Sequence, residues 1–146
     1  MQHIAIMRKS WGLTQKILSR EKIIETRWYK NKARPWNFLK AGETIFFKDS
    51  GKPVTLKATI SKVEQFEDLN EKQRQTLIKR FSAKDLGTTG ISQEIEEHIK
   101  GKRYAIIIHL KDPKAIRPFQ IDKTGYGTQA SWLSVKDIKK IKRPVN

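Results

Sequence analysis

From Val54 to Ser61 apolar and polar residues alternate. Leu56, Ala58 and Ile60 stand between Thr55, Lys57, Thr59 and Ser61, the period-two pattern of a strand with one buried and one wet face. Val63 breaks the alternation, so a bulge or bend is expected near Ser61–Lys62 in a strand that runs on to Phe66. Shorter runs predict strands at residues 2–7, Ile23–Tyr29 and Thr44–Lys48. Tyr104–Leu110 is apolar on both faces except at His109, which places it at the centre of a sheet. Arg117-Pro118-Phe119 reads as one more extended piece. Spacings of three and four predict helices elsewhere. Trp11–Leu18 puts Leu13 and Ile17 on one face, with Ser10 as its N-cap. Asn70 caps a helix over Glu71–Phe81 whose inner face holds Leu77, Ile78 and Phe81. A short acidic helix starts at Ser92 and buries Ile95 and Ile99. Val135, Ile138 and Ile141 recur by three and predict a last short helix. Lys84–Gly90 and Gly125-Tyr126-Gly127 are loops, and Asp49–Lys52 is a hairpin-like turn.

Strands come first, then a helical insert, then strands again. The helices are too few to cover a parallel sheet. The expected class is therefore α+β: a small mixed β-barrel with several attached short helices, formed by residues 1–146 as one domain.

Composition sharpens this picture. The 146 residues include no cysteine, which excludes a disulfide scaffold and thiolate zinc sites. His3, His98 and His109 show no metal-ligand spacing, and no metal or cofactor is expected. The longest apolar run, Ala105–Ile108, is far short of the roughly 18 residues of a membrane span. A soluble, cytoplasmic, monomeric protein is expected. The net charge is +16 and unevenly placed: residues 1–40 carry +8, residues 134–146 carry +4, and the 93 residues between them carry only +4. If the two basic ends meet they form one positive surface, the footprint of a nucleic-acid binder. A lysine-rich solubilising surface is the plain alternative.

Lys22-Ile23-Ile24-Glu25-Thr26-Arg27-Trp28 carries the candidate chemistry. On a strand Glu25 and Arg27 project from one face, where they must be hydrated or paired. They could read a base edge, the carboxylate accepting and the guanidinium donating in a fork, or brace the barrel as an ion pair. Lys22 is a candidate phosphate ligand or desolvated amine. The loop after this strand adds Lys30, Lys32, Arg34 and Trp36. Trp28, Trp36, Tyr126 and Trp132 lie outside the clean core pattern, and such rings stack on unpaired bases; core packing is the competing role for each. Trp28 shares its strand face with Ile24 and leans toward the core. Trp132 sits among Ala130, Ser131 and Ser134 and leans toward a site, with Ser131 as a possible donor. His109 reads as a satisfied core histidine.

These residues resemble a family. The Lys22, Glu25 and Arg27 spacing is similar to the Gly-x-Lys-x-x-Glu-x-Arg element of the ASCH domain (activating signal cointegrator homology), a branch of the PUA-like superfamily; Arg20 replaces the glycine. Pro35-Trp36, Gly42-Glu43, the Phe-Lys-Asp-Ser-Gly run and Ile116, Pro118, Phe119 and Trp132 extend the likeness over most of the chain, least clearly residues 68–102. The resemblance implies a β-barrel whose cleft takes RNA or a modified nucleoside. It also implies possible hydrolysis. Acetylcytidine amidohydrolases of this kind use a lysine, a threonine three residues later and an acid from the following helix. Lys22 matches the first, Glu25 stands in the second position, and Leu77 or its neighbours stand in the third. Other members are metal-dependent ribonucleases.

Three functions follow for testing. The favoured one is a module that holds a base or phosphate of RNA, or a nucleotide, in a cationic cleft made by Lys22, Glu25, Arg27, Lys30, Lys32, Arg34, Trp36, Tyr126, Ser131 and Trp132. The second is a hydrolase with Lys22 and Glu25 as catalytic residues. The third is a domain that binds an acidic protein.

Overall fold

Seven strands form one curled sheet in the computed structural model, which describes residues 1–86, 93–127 and 130–145. They are β1 (Gln2–Met7), β2 (Ile24–Tyr29), β3 (Thr44–Asp49), β4 (Val54–Phe66), β5 (Tyr104–Ile121), β6 (Trp132–Val135) and β7 (Lys142–Arg143). The order across the sheet is β2-β5-β4-β3-β1-β6, with β7 paired to the far end of β5. β1 and β3 run parallel and the other pairs antiparallel. The result is the mixed α+β half-barrel that the residue pattern predicts.

Register explains the curl. β4 and β5 slip past one another at three places, one of them between Ile60 and Lys62 where the alternation breaks. Each slip adds local twist. Asp112, opposite a second slip, takes a φ of 53°. Among the described residues three α-helices attach: α1 (Leu13–Leu18), α2 (Glu71–Leu86) and α3 (Gln93–Ile99). Inside the curl, Phe47, Leu56, Ile60, Ile106 and Ile108 pack with Leu13 and Ile17 of α1. On the outer face, Ile4, Phe46, Val54, Phe119 and Leu133 lie under Ile138 and Ile141. Beneath α2, Leu77 and Phe81 cover Ile24, Trp28, Ala105 and Ile107.

Several boundaries differ from expectation. Ser10 does not cap a helix: Lys9–Trp11 form a single 3-10 turn, and Gly12, at φ 63°, opens α1 instead. Asn70 does cap α2, and does so reciprocally. Its Oδ1 accepts from the Gln73 amide at 2.8 Å, while Gln73 Oε1 accepts from the Asn70 amide at 2.9 Å. α2 then continues five residues past Phe81, so Lys84–Leu86 are helical; residues 87–90 and the helix start expected at Ser92 lie outside the described residues. β5 runs unbroken through Pro113 and Pro118, joining two pieces expected to be separate. Val135 closes β6 instead of starting a helix, and only a 3-10 turn at Ile138–Lys140 follows, capped by Asp137. Its spacing by three fits the tighter 3-10 period. No helix among the described residues is long and apolar enough to cross a membrane.

Candidate functional site

β2 and β6 end the sheet, and the curl brings them face to face without a shared ladder. Arg27 crosses the gap. Its Nη1 donates to the Ser131 carbonyl at 3.2 Å and its Nη2 lies 3.4 Å from Met7 Sδ. Its guanidinium also stacks 5.2 Å from the Trp132 ring centroid, a cation–π contact. A cavity of about 230 Å³ opens beside this crossing. β2 supplies Glu25, Thr26, Arg27, Trp28 and Tyr29 to its wall; Met7, Arg8 and Trp11 close another side, and Asp85 and His98 come from α2 and α3.

Behind the wall lies a buried ionic cluster. Lys22 is 1% exposed. Its ammonium donates to the carbonyls of Ile24 at 2.7 Å and Asp85 at 2.6 Å and to the Asp85 carboxylate, and it forms an ion pair with Glu25 Oε1 at 3.1 Å. Glu25, itself 3% exposed, also accepts from Arg27 Nη2 at 2.9 Å. The Thr26 hydroxyl donates to Asp85 Oδ2 at 2.8 Å and accepts from Trp28 Nε1 at 3.1 Å. Two cations thus balance two carboxylates in a largely buried site that borders the cavity.

Their protonation differs by surroundings. Burial would lower the Lys22 ammonium, but Asp85 and Glu25 outweigh it and raise the pKa. Lys22 is therefore a fixed positive charge and not a free amine. Burial would raise Glu25, yet Lys22 and Arg27 hold it below its ordinary value. For Asp85 burial wins and Glu25 adds to it, so its carboxyl is pushed up despite Lys22 and Thr26. Burial lowers His98 first, and Lys102, Arg8 and Arg27 add to it, so the imidazole facing the cavity stays neutral more readily.

Glu25 makes a signed prediction. A carboxyl lowered by folding contributes stability that is fully present above its unfolded value and is lost as pH falls through the folded one. Glu25→Gln should therefore show a constant stability deficit between about pH 6 and 8, closing as pH drops below the ordinary value of 4.5. Urea melts across that range would read it. A deficit that grows on acidification would show that the Glu25 charge does not stabilise the fold.

A second polar chain holds Trp132. Its Nε1 donates to Ser134 Oγ at 3.2 Å; Ser134 lies 2.7 Å from His3 Nδ1, and His3 Nε2 lies 3.0 Å from Glu43. Burial lowers the His3 pKa, with Glu43 opposing it. Neutral His3 then keeps its proton toward Glu43 and accepts from Ser134. Trp132 is fixed as the platform behind Arg27.

The remaining candidate residues fall elsewhere. Glu25, Arg27 and Ser131 line the cavity, while Lys22 and Trp132 back it. Lys30, Lys32, Arg34 and Trp36 sit on the loop after β2 and do not line it. There Lys32 pairs with Glu67 at 3.3 Å, and Arg34 stacks 4.3 Å from the Phe38 ring centroid. Tyr126 is 41% exposed on its turn, also away from the cavity. His109 pairs with Glu64 at 2.8 Å. No group of three or more metal-ligating side chains gathers among the described residues.

No protein-family model matches the chain, and no curated protein sequence matches it. Solved structures do. ASCH from Zymomonas mobilis matches with a TM-score of 0.66 and 16% identity, over 99% of this chain and 98% of that one. A point-mutant form of the same protein gives 0.68 at 16% identity, over 95% and 93%. The fold is that of the ASCH domain. The N-terminal domain of Staphylothermus marinus McrB is more distant, with a TM-score of 0.56 and 13% identity over 95% of this chain and 90% of that one.

Within this ASCH fold, residue reasoning missed Asp85, Thr26, Tyr29, Trp11 and His98. Asp85 had a signal. Leu77, Phe81 and Asp85 recur every four residues, so the acid continues the buried stripe of α2. A carboxylate in that position has to meet a partner.

Proposed function

We propose that the cavity beside Arg27 receives one unpaired base or nucleotide of RNA. One observation carries this reading. Among the described residues two buried donors without a hydrogen-bond partner, Trp11 Nε1 and Arg27 Nε, belong to residues lining this cavity. Leaving such a group unpaired costs roughly 1–3 kcal/mol each. A ligand offering acceptors would recover that cost once the Trp11 and Arg27 side chains turn toward it. Trp11, Trp28, Tyr29 and His98 surround it with ring surface suited to a flat base. Arg8 at the rim and the basic loop after β2 would hold phosphate. The resemblance to ASCH domains supports the same ligand class.

Tryptophan fluorescence titration with single-stranded RNA between 50 and 300 mM salt tests this. Binding should quench the signal, because Trp11 and Trp28 line the site, and weaken as salt rises. Saturable binding insensitive to salt, or no quenching, would overturn it.

A second reading is hydrolysis of an N-acyl group on a base held there. It is supported by the hydrogen-bonded set of Lys22, Thr26 and Asp85: a lysine, a nearby threonine and an acid from the following helix. Asp85, pushed up in pKa, would donate or accept the proton, and Lys22 would fix charge. Release of acetate from N4-acetylcytidine, abolished in Asp85→Asn, would favour this reading over binding alone.

A further inference from the structure

The outer half of β5 carries a second cationic surface that the cavity does not use. Lys57 of β4 stands directly opposite Lys114 of β5, and Thr59 opposite Lys111. Like charges facing across a ladder repel. Lys57, Lys111, Lys114 and Arg117 are all exposed, and none has an acidic partner among the described residues. Directly opposed residues share a sheet face, so Phe46, Lys57 and Lys114 lie on the same side. Phe119 joins them there, its ring 5.7 Å from that of Phe46, and Lys142 Nζ sits 4.8 Å from the Phe119 centroid. Beside Phe119 a groove of about 630 Å³ opens between Arg117, Lys142 and Arg143, flanked by Pro118 and Pro144. Among the described residues only Arg143 of these cations has an acid, Asp122 at 3.1 Å.

We propose that this β4–β5–β7 ribbon is a phosphate-backbone track for the RNA strand whose base enters the cavity. The repulsion between Lys57 and Lys114 is tolerated because a polyanion relieves it on binding. The position fits. Thr26 in the cavity wall pairs with Ile107, ten residues along β5 from Arg117. At about 3.3 Å per residue the two sites are separated by roughly 33 Å at most along the strand. That suits a single strand within the usual site sizes of about 4–16 nucleotides. The apolar groove floor and flanking prolines give the sugars a dry surface. Peptide addition to the β5 edge is a poorer fit, because Pro113 and Pro118 remove ladder donors from it. The proposal takes the RNA reading of the cavity as its starting point, and its test separates the two.

The test uses the full chain and a variant with Lys57, Lys114, Arg117 and Lys142 each replaced by Gln. Two probes are compared: a mixed-sequence 16-nucleotide single-stranded RNA and a mixed-sequence RNA trinucleotide. The variant should bind the 16-mer at least tenfold more weakly at 100 mM salt. Its slope of log affinity against log salt should be shallower by about 3, at roughly 0.7 per phosphate contact for single strands. Trinucleotide binding should not change. An unchanged slope and affinity for the 16-mer would overturn the track. So would polyglutamate displacing the 16-mer from the unmodified protein as well as RNA does, which would assign the surface to an acidic protein. Failure of the trinucleotide to bind the unmodified protein would count against the cavity, while the 16-mer slope would still decide the track. Lys57→Glu alone should raise the melting temperature by turning repulsion into attraction; a fall would refute the repulsion on which the assignment rests.

Discussion

Lys22→Met is expected to destabilise the protein by about 3–5 kcal/mol, the usual cost of removing one partner from a buried ion pair. For a chain of this size that corresponds to a melting temperature lower by roughly 10 °C. Methionine fills most of the lysine volume, so the loss would report charge and hydrogen bonds more than a cavity. Asp85 would be left with only Thr26 and Glu25 with only Arg27, two carboxylates sharing one largely buried site. The effect should be strongly non-additive. Lys22→Met combined with Asp85→Asn should recover a kcal/mol or more, since coupled neighbours commonly interact by about 0.5–3 kcal/mol. Asparagine keeps the Thr26 contact without the charge. A single variant within about 1 kcal/mol of the parent would mean that the cluster contributes no net stability and that Lys22 is retained for other chemistry.

The second large effect concerns binding. Arg27→Ala should weaken single-stranded RNA affinity by about 10- to 100-fold, given the roughly 1.5–3 kcal/mol attached to a hydrogen bond made by a charged group. Arg27→Lys distinguishes charge from geometry. Lysine keeps the positive charge but loses Nε and the planar fork that reaches Ser131 and Glu25. The lysine variant should therefore recover the salt slope of the parent while staying about tenfold weaker. Fluorescence titration reads both, with circular dichroism confirming the fold. Undiminished affinity in Arg27→Ala would remove this residue from the site.

Much of this architecture was legible in residue order, and the exceptions share a cause. β1, β2, β3 and β4 follow from short-range alternation, and so does the bulge after Ile60, because half-buried strands must alternate. β5 reads from the residues as two separate pieces, Tyr104–Leu110 and Arg117–Phe119. Beyond Leu110 the exposed lysines and two prolines mask a strand whose pairing with β4 is held by long-range contacts. The end of α2 was lost for the opposite reason: Asp85 looks like a terminator until the lysine it meets, 63 positions earlier, is known. Glu25 and Arg27 were placed together by period two, and they do face one cavity. Tyr126 and the loop residues Lys30, Lys32, Arg34 and Trp36 lie apart from it, because grouping by residue type carries no information about which loops converge.

The crossing made by Arg27 has a consequence for how such proteins diversify. Where the first and last strands are not laddered together, side chains alone set the circumference of the barrel. Substitutions at Arg27, Ser131 or Met7 can widen or tighten the mouth while every main-chain bond of the sheet stays in place. The width of the mouth is therefore set at a handful of positions, and of these Arg27 is also tied to the stability of the sheet through its pair with the buried Glu25.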